Sequence, residues 1–247
     1  MEMFIGTSGY SYEHWLSGVF YPKGWPKNKL LEYYCRHFRA VELNVTFYRL
    51  PNQAVFKGWF RKTPGDFKFV VKGSRFITHI KRLKDIKNSV EMFFEAASHL
   101  KDKLACVLWQ LPPSMRHDQG RLHDFIKQLQ NNKTAKKIAH SLEFRHPSWF
   151  NDSVYELLEK EGFNLCIADS PRWPLQEVIT SDFLYLRFHG GKVLYGSEYS
   201  QEELRAWAKK TKAWSKKIKY LFAFFNNDYK GFAVKNAKTF QELVSFR

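Results

Sequence analysis

Several short apolar runs of this chain end in groups capable of chemistry. Glu42 follows Ala40-Val41, Lys72 closes Phe69-Val70-Val71, and Gln110 ends the run from Ala105. Glu143 and Arg145 flank Phe144, Asp169 follows Ile167-Ala168, Arg187 and His189 flank Phe188, and Asn226-Asn227-Asp228 follows Phe225. The carboxylates Glu42, Glu143 and Asp169 and the imidazole of His189 are the candidates for proton transfer. Like charge between Glu143 and Asp169 would raise one of their pKa values and give an acid beside a base. Lys72, Arg145 and Arg187 are the candidate anchors for an anionic substrate, with Asn44, Gln110 and Asn226 as neutral partners. Ser8, Ser74 and Ser170 sit in no nucleophile elbow and read as turn residues.

Two glycine-containing segments suggest phosphate. Gly190-Gly191-Lys192 and Asn226-Asn227-Asp228-Tyr229-Lys230-Gly231 could cradle it with backbone amides, although ordinary turn chemistry accounts for them equally well. His146, His189 and Glu143 are ligand types for a divalent metal, but no His-x-His or His-Glu-x-x-His spacing occurs, and no nucleotide-cofactor motif is present. The aromatics Tyr10, Tyr48 and Trp149 fall in loops where they could stack on a ring, while core packing is the expectation for most other aromatics.

The elements that must position these residues are readable from periodicity. Strands are expected at Phe4–Thr7, Ala40–Leu43, Lys68–Val71, Ala105–Gln110, Ala139–Glu143, Asn164–Ala168, Phe183–Arg187 and Tyr220–Phe225. Helices are expected at Lys27–Phe38, Gln53–Phe60, Ile86–Leu100, Asp118–Gln130, Asp152–Lys160, Ser200–Trp214 and Ala233–Val244. The Pro-rich gap after the sixth strand makes the helix there short or irregular. Eight strands alternating with helices predict one parallel (β/α)8 barrel of the TIM type over residues 1–247, with its site at the strands' C-terminal ends. Alternation along each strand turns Glu42, Lys72, Gln110, Glu143, Arg145, Asp169, Arg187, His189 and Asn226 towards the axis. The opposite end carries no comparable charge. An ion-pair network plugging the top of the core would use the same residues without any catalysis.

Composition fits a folded globular chain. Of 247 residues 44% are apolar and 26% charged, and the 40 Lys and Arg against 24 Asp and Glu give a net charge of +16. The surplus favours an anionic small molecule or nucleic acid as partner. The lysine-rich helix after the seventh strand is a candidate for sequence-independent phosphate contacts. Cys35, Cys106 and Cys166 are odd in number and far apart, which suits a reducing compartment. No secretory signal and no membrane-spanning run is readable, so the cytoplasm is expected and a membrane is not.

Seven segments then carry a resemblance: GTSGYSY from Gly6, VELNVTFYRLP from Val41, LWQLPP from Leu108, EFRHPSW from Glu143, DSP from Asp169, YLRFHG from Tyr185 and FNND from Phe225. In order and over nearly the whole chain, they resemble the YecE-like family, domain of unknown function seventy-two. Tyr10 and Val45 depart from the Trp and Ser expected at those places. The resemblance implies a TIM-type barrel and no established activity. The residues themselves suggest a hydrolase or lyase acting on a phosphate-bearing substrate such as a phosphodiester or nucleotide. A non-catalytic nucleic-acid-binding barrel and a sugar-directed hydrolase are the alternatives.

Overall fold

The structure, a computed structural model, describes residues 1–245. All strand pairs are parallel and fall into two sheets. One orders β1 (Glu2–Thr7), β9 (Tyr220–Phe225), β8 (Phe183–Phe188) and β7 (Ile167–Asp169); the other orders β2 (Ala40–Leu43), β3 (Lys68–Lys72), β4 (Leu104–Gln110), β5 (Ala139–Glu143) and β6 (Asn164–Leu165). The sixth expected strand is therefore split at Cys166, its first half pairing with β5 and its second with β8. On the other side the sheets meet through a bridge from Ser8 to Glu42, where the Gly9 amide donates to the Glu42 carbonyl at 2.8 Å.

Side-chain alternation creates two apolar layers. Phe4, Val70, Cys106, Leu108, Cys166, Tyr185, Phe222 and Phe224 pack together on the inner faces of both sheets. Val41, Val71, Trp109, Leu142, Leu186 and Phe225 point outward and pack with the helices. These are α3 (Gln53–Arg61), α4 (Lys87–Ala97), α5 (Gln119–Asn131), α6 (Asp152–Glu161), α7 (Gln201–Trp214) and α8 (Phe232–Val244). Strands buried on both faces in this way read as near-continuous apolar runs.

Local chemistry sets the helix starts. Asn52, Asp118, Asn151 and Ser200 accept from the amides of Val55, Arg121, Val154 and Glu203, and Ser200 with Glu203 forms a full capping box. The expected helix Lys27–Phe38 is shorter. It comprises a 3-10 turn at Lys27–Lys29 and α1 (Leu30–Tyr34), after which the Arg36 and His37 amides bond three residues back and the chain leaves the helical path. A short helix, α2 (Val45–Tyr48), follows β2 directly. Residues 170–182 between β7 and β8 hold no helix, as the Pro-rich reading anticipates. Charge does occur at the strands' N-terminal end, in Arg39 with Glu2 and Asp66 and in Lys219 with Asp182, but these pairs lie in exposed positions.

The approach of β1 to α1 and β2 depends on Gly6. A Cβ there would stand 2.1 Å from the Ala40 carbonyl oxygen and 2.7 Å from the Tyr34 hydroxyl, which itself accepts from the Thr7 amide and donates to the Ala40 carbonyl. Backbone cannot yield as a flexible side chain would. Gly6→Ala is expected to destabilise the fold by about 1–3 kcal/mol or more, read as a lowered urea midpoint at unchanged slope. An unaltered midpoint would show that β1 has room to move.

Candidate functional site

Strands β2, β5 and β8 place the centre of the site. Their alternation sends Glu42, Glu143, Tyr185 and Arg187 inward, and all four are buried. Arg187 donates from Nε and Nη2 to the two oxygens of Glu42 at 2.9 and 2.7 Å, and from Nη1 to Glu143 Oε2 at 2.5 Å. The Tyr185 hydroxyl donates to Glu42 Oε2 at 2.7 Å, and Arg145 Nε to Glu143 Oε1 at 2.7 Å. Every carboxylate oxygen of the pair therefore accepts from a cation. Burial raises both pKa values, but Arg187, joined at Glu143 by Arg145, outweighs it and holds both carboxyls below their ordinary value.

His189 lies beside this network, its Nε2 3.6 Å from Glu143 Oε2 and its Nδ1 3.2 Å from the Asn226 amide nitrogen. Burial and then the Arg187 charge push its pKa down to about 4, so the ring is neutral at neutral pH. Trp173, from the helix-free segment, packs its ring edge to face with His189 and lies under the Arg145 guanidinium, 3.9 Å from it.

Lys72 differs from the other cations. Its ammonium lies 4.1 Å from the Phe47 ring centre and, among the described residues, has no hydrogen-bond or carboxylate partner. Burial first, then Arg187, push its pKa down to about 7. Lys72 lines a cleft of about 920 Å³ whose other walls include Tyr10, Tyr12, Asn44, Tyr48, Tyr195, Asn226 and Asp228. The volume lies in the range of small-molecule sites, roughly 300–1,000 Å³. Asn44 Oδ1 is buried there without a hydrogen bond among the described residues. Asp228 accepts from the Trp15 indole at 2.8 Å and pairs with His14 at 3.0 Å, and burial raises its pKa to about 6.

Glu42, Lys72, Gln110, Glu143, Arg145, Arg187 and His189 thus collect at one end of the strands, and Asn44, Asn226, Asp228, Tyr10 and Tyr48 line the opening. Other expected members lie elsewhere. Asp169, the last residue of β7, turns its side chain away from the inner face and accepts from the Trp207 indole of α7 at 3.0 Å, because Cys166 and Ala168 take the inward positions. Trp149 is fully buried in the outer layer, stacked on Phe144 and donating to the Met115 carbonyl. His146 bonds Ser148 in its own turn, and among the described residues no group of three His, Cys, Asp or Glu stands ready for a metal.

The expected phosphate cradle is occupied by internal partners. The Gly190 amide donates to Tyr199, those of Lys192 and Val193 to Ser197, and Asn227 bonds the Ser197 carbonyl and Asn236. Tyr185, Phe47 and His14 are contributors that the sequence reading did not select. Tyr185 shares its strand parity with Arg187 and could have been found by that rule; Phe47 and His14 lie in single-turn helices too short to show a period.

Parallel α/β architecture with polar groups gathered at the strands' C-terminal ends defines the class. The chain belongs to the family described as Protein of unknown function DUF72, whose model matches residues 4–247. It is 29% identical to the UPF0759 protein YunF of Bacillus subtilis, over 98% of this chain and 94% of that protein, and 27% identical to YecE of Escherichia coli K12, over 74% of each. A crystal structure of a DUF72 family protein from Thermotoga maritima matches all of both chains with a TM-score of 0.87 and 33% identity. One from Enterococcus faecalis, 19% identical, shares the fold with a TM-score of 0.84 over 99% of this chain and 96% of that one.

Arg187→Met is expected to destabilise the fold by about 3–5 kcal/mol at pH 7, because it leaves two buried carboxylates without their main partner. In the native protein both carboxyls sit below their ordinary value. Their stabilisation is therefore present above roughly pH 4.3 and is lost as pH falls through the folded pKa values. In the variant burial is opposed chiefly by Arg145 at Glu143 and by Tyr185 at Glu42, so both carboxyls titrate higher, protonation relieves the penalty and the gap to the native protein narrows between pH 7 and 4. Denaturant midpoints across that range test this; a gap independent of pH would count against it.

Proposed function

We propose that this chain is an enzyme acting on an anionic substrate in the C-terminal cleft, recognised through a phosphate or carboxylate group. The observation that carries this reading is the charge balance of the cleft floor. Glu42 and Glu143 match Arg187 and Arg145, which leaves the Lys72 ammonium as the surplus cation. A buried surplus charge opening on a concave site favours a ligand that brings the missing counter-charge. Tyr10, Tyr48 and Tyr195 give the walls flat apolar surface, which suits a substrate with a ring such as a nucleotide.

In this reading Lys72 anchors the anion with the Arg145 charge acting from behind it, Asn44 and Asn226 fix its orientation, and Asp228 supplies an acid or base with its pKa near 6. Glu42 and Glu143, with every oxygen engaged, serve as positioning groups. That engagement also removes the free carboxylate pair a sugar hydrolase would need. The reaction class is hydrolysis or elimination. We also read the two sheets as one closed (β/α)8 barrel over the chain, joined at the Ser8–Glu42 bridge and at the split strand around Cys166.

Nucleic acid as the main ligand draws less support. The chain after α7 returns to the strands' N-terminal end, where Lys219 bonds Asp182 just before β8. The lysines of that helix end therefore lie at the pole opposite the cleft.

Calorimetric titration with inorganic phosphate, nucleoside monophosphates and small carboxylic acids tests the proposal. Saturable binding is expected, weakened about ten-fold or more in Lys72→Ala and Arg145→Ala. Replacing Lys209, Lys210, Lys216 and Lys217 with Glu should leave it unchanged. Binding indifferent to Lys72 and Arg145, or abolished by the four distant changes, would overturn the assignment.

A further inference from the structure

Lys72 has a second property that anion binding alone does not use. Groups from several sides act on its amine: Glu42 from β2, Glu143 from β5 with Arg145 just past its end, Arg187 from β8 and the Phe47 ring from α2. His79 also lies near, its own pKa pushed down to about 4 by burial and then by Lys72. The carboxylates spend their oxygens on Arg187, Arg145 and Tyr185, and both nearby guanidinium groups remain charged. Loss of a proton from Lys72 is the one change that leaves these five charged groups neutral as a set.

We propose that Lys72 is a covalent nucleophile that forms an imine with the carbonyl carbon of an anionic aldehyde or 2-oxo acid bound in the cleft. The inference rests on the reading of that cleft as an anionic substrate site and names the substrate class. It follows from three features together: an amine lining an open cleft, no carboxylate among the described residues within ion-pair distance of it, and the Asn44 and Asn226 amides on the same cleft wall to meet the substrate's anionic group. Its pKa near 7 leaves about half of it as free amine at neutral pH, against fewer than about one in a thousand for an ordinary lysine.

The step balances without a redox partner. The amine lone pair forms the N–C bond as the carbonyl π pair moves to oxygen, and one amine proton passes to that oxygen. A second proton from solvent in the open cleft lets the oxygen leave as water, with the C–O bond broken and the nitrogen left as a protonated imine. The positive charge then stands beside the substrate's own anionic group.

The test is borohydride trapping on the native chain. The protein is incubated briefly with pyridoxal 5′-phosphate, an anionic aldehyde, reduced with sodium borohydride, and mapped by peptide mass. Lys72 is expected to be labelled at least ten-fold faster than exposed lysines such as Lys57 and Lys192, with a rate that rises through a midpoint near pH 7. Labelling no faster than at those lysines, with a midpoint near pH 10, would overturn the proposal. Pyridoxal, which lacks the phosphate, separates the two layers of inference. Preferential labelling by both aldehydes at equal rates supports the nucleophile and removes the anionic site. Phosphate binding without preferential labelling retains the anionic site and removes the nucleophile. Because the measurement uses the native chain, it does not depend on a variant that folds.

Discussion

The bidentate grip of Arg187 on Glu42, extended to Glu143, is the constraint around which the molecule is arranged. Glu42 and Glu143 belong to the five-stranded sheet and Arg187 to the four-stranded one, so the guanidinium joins the two sheets through their shared interior. Removing three ions from water costs several kcal/mol each, and only close geometry with every carboxylate oxygen hydrogen-bonded offsets that. Tyr185 and Arg145 complete the satisfaction. A slip of either sheet by one residue would turn the charges into the outer apolar layer, so the network also fixes register.

Above this plug the character changes within one layer of side chains. Below Arg187 the interior is Phe, Val, Leu and Cys; above it stand amides, tyrosines and a carboxylate facing an open cleft. Lys72 sits on the boundary, with the charges of the plug on one side and the opening on the other. Its environment is therefore set by residues that no ligand need touch. A core network can tune a neighbouring group in this way: burial and then the Arg187 charge push the amine's pKa down, while Glu42 and Glu143 give their oxygens to the arginines and Tyr185.

Much of this was legible before any coordinates, wherever a strand was long enough for alternation to show. In β2, β5 and β8 the apolar positions alternate cleanly with Glu42, Glu143 and Arg187, and parity alone aims them inward. It does not carry to Asp169: β7 is three residues long, Ala168 takes its inward position with Cys166 just before it, and Asp169 shares the outward face with Ile167. Trp149 looked like a rim aromatic because its loop follows a strand, but loop position does not tell whether a side chain turns out or folds back under. The Gly190 loop has the composition of an anion cradle, yet Tyr199 and Ser197 take its amides, and such partners are not written in local sequence. Unequal roles among like residues were the hardest to see. Lys72 and Arg187 both end strands as cations, and only the count of carboxylate oxygens separates the paired one from the unpaired one.

The helix-free stretch at residues 170–182 supplies Trp173, which packs beneath Arg145 and against His189, and contributes no helix to the outer layer. Segments of this kind accept insertion and deletion more readily than the elements they connect. Arg187, Glu42 and Glu143 are held from β8, β2 and β5, so a change in its length would leave them in place. The stretch is thus where this architecture can diversify: a longer or shorter segment would reshape what packs against Arg145 and His189 while leaving the ionic centre intact.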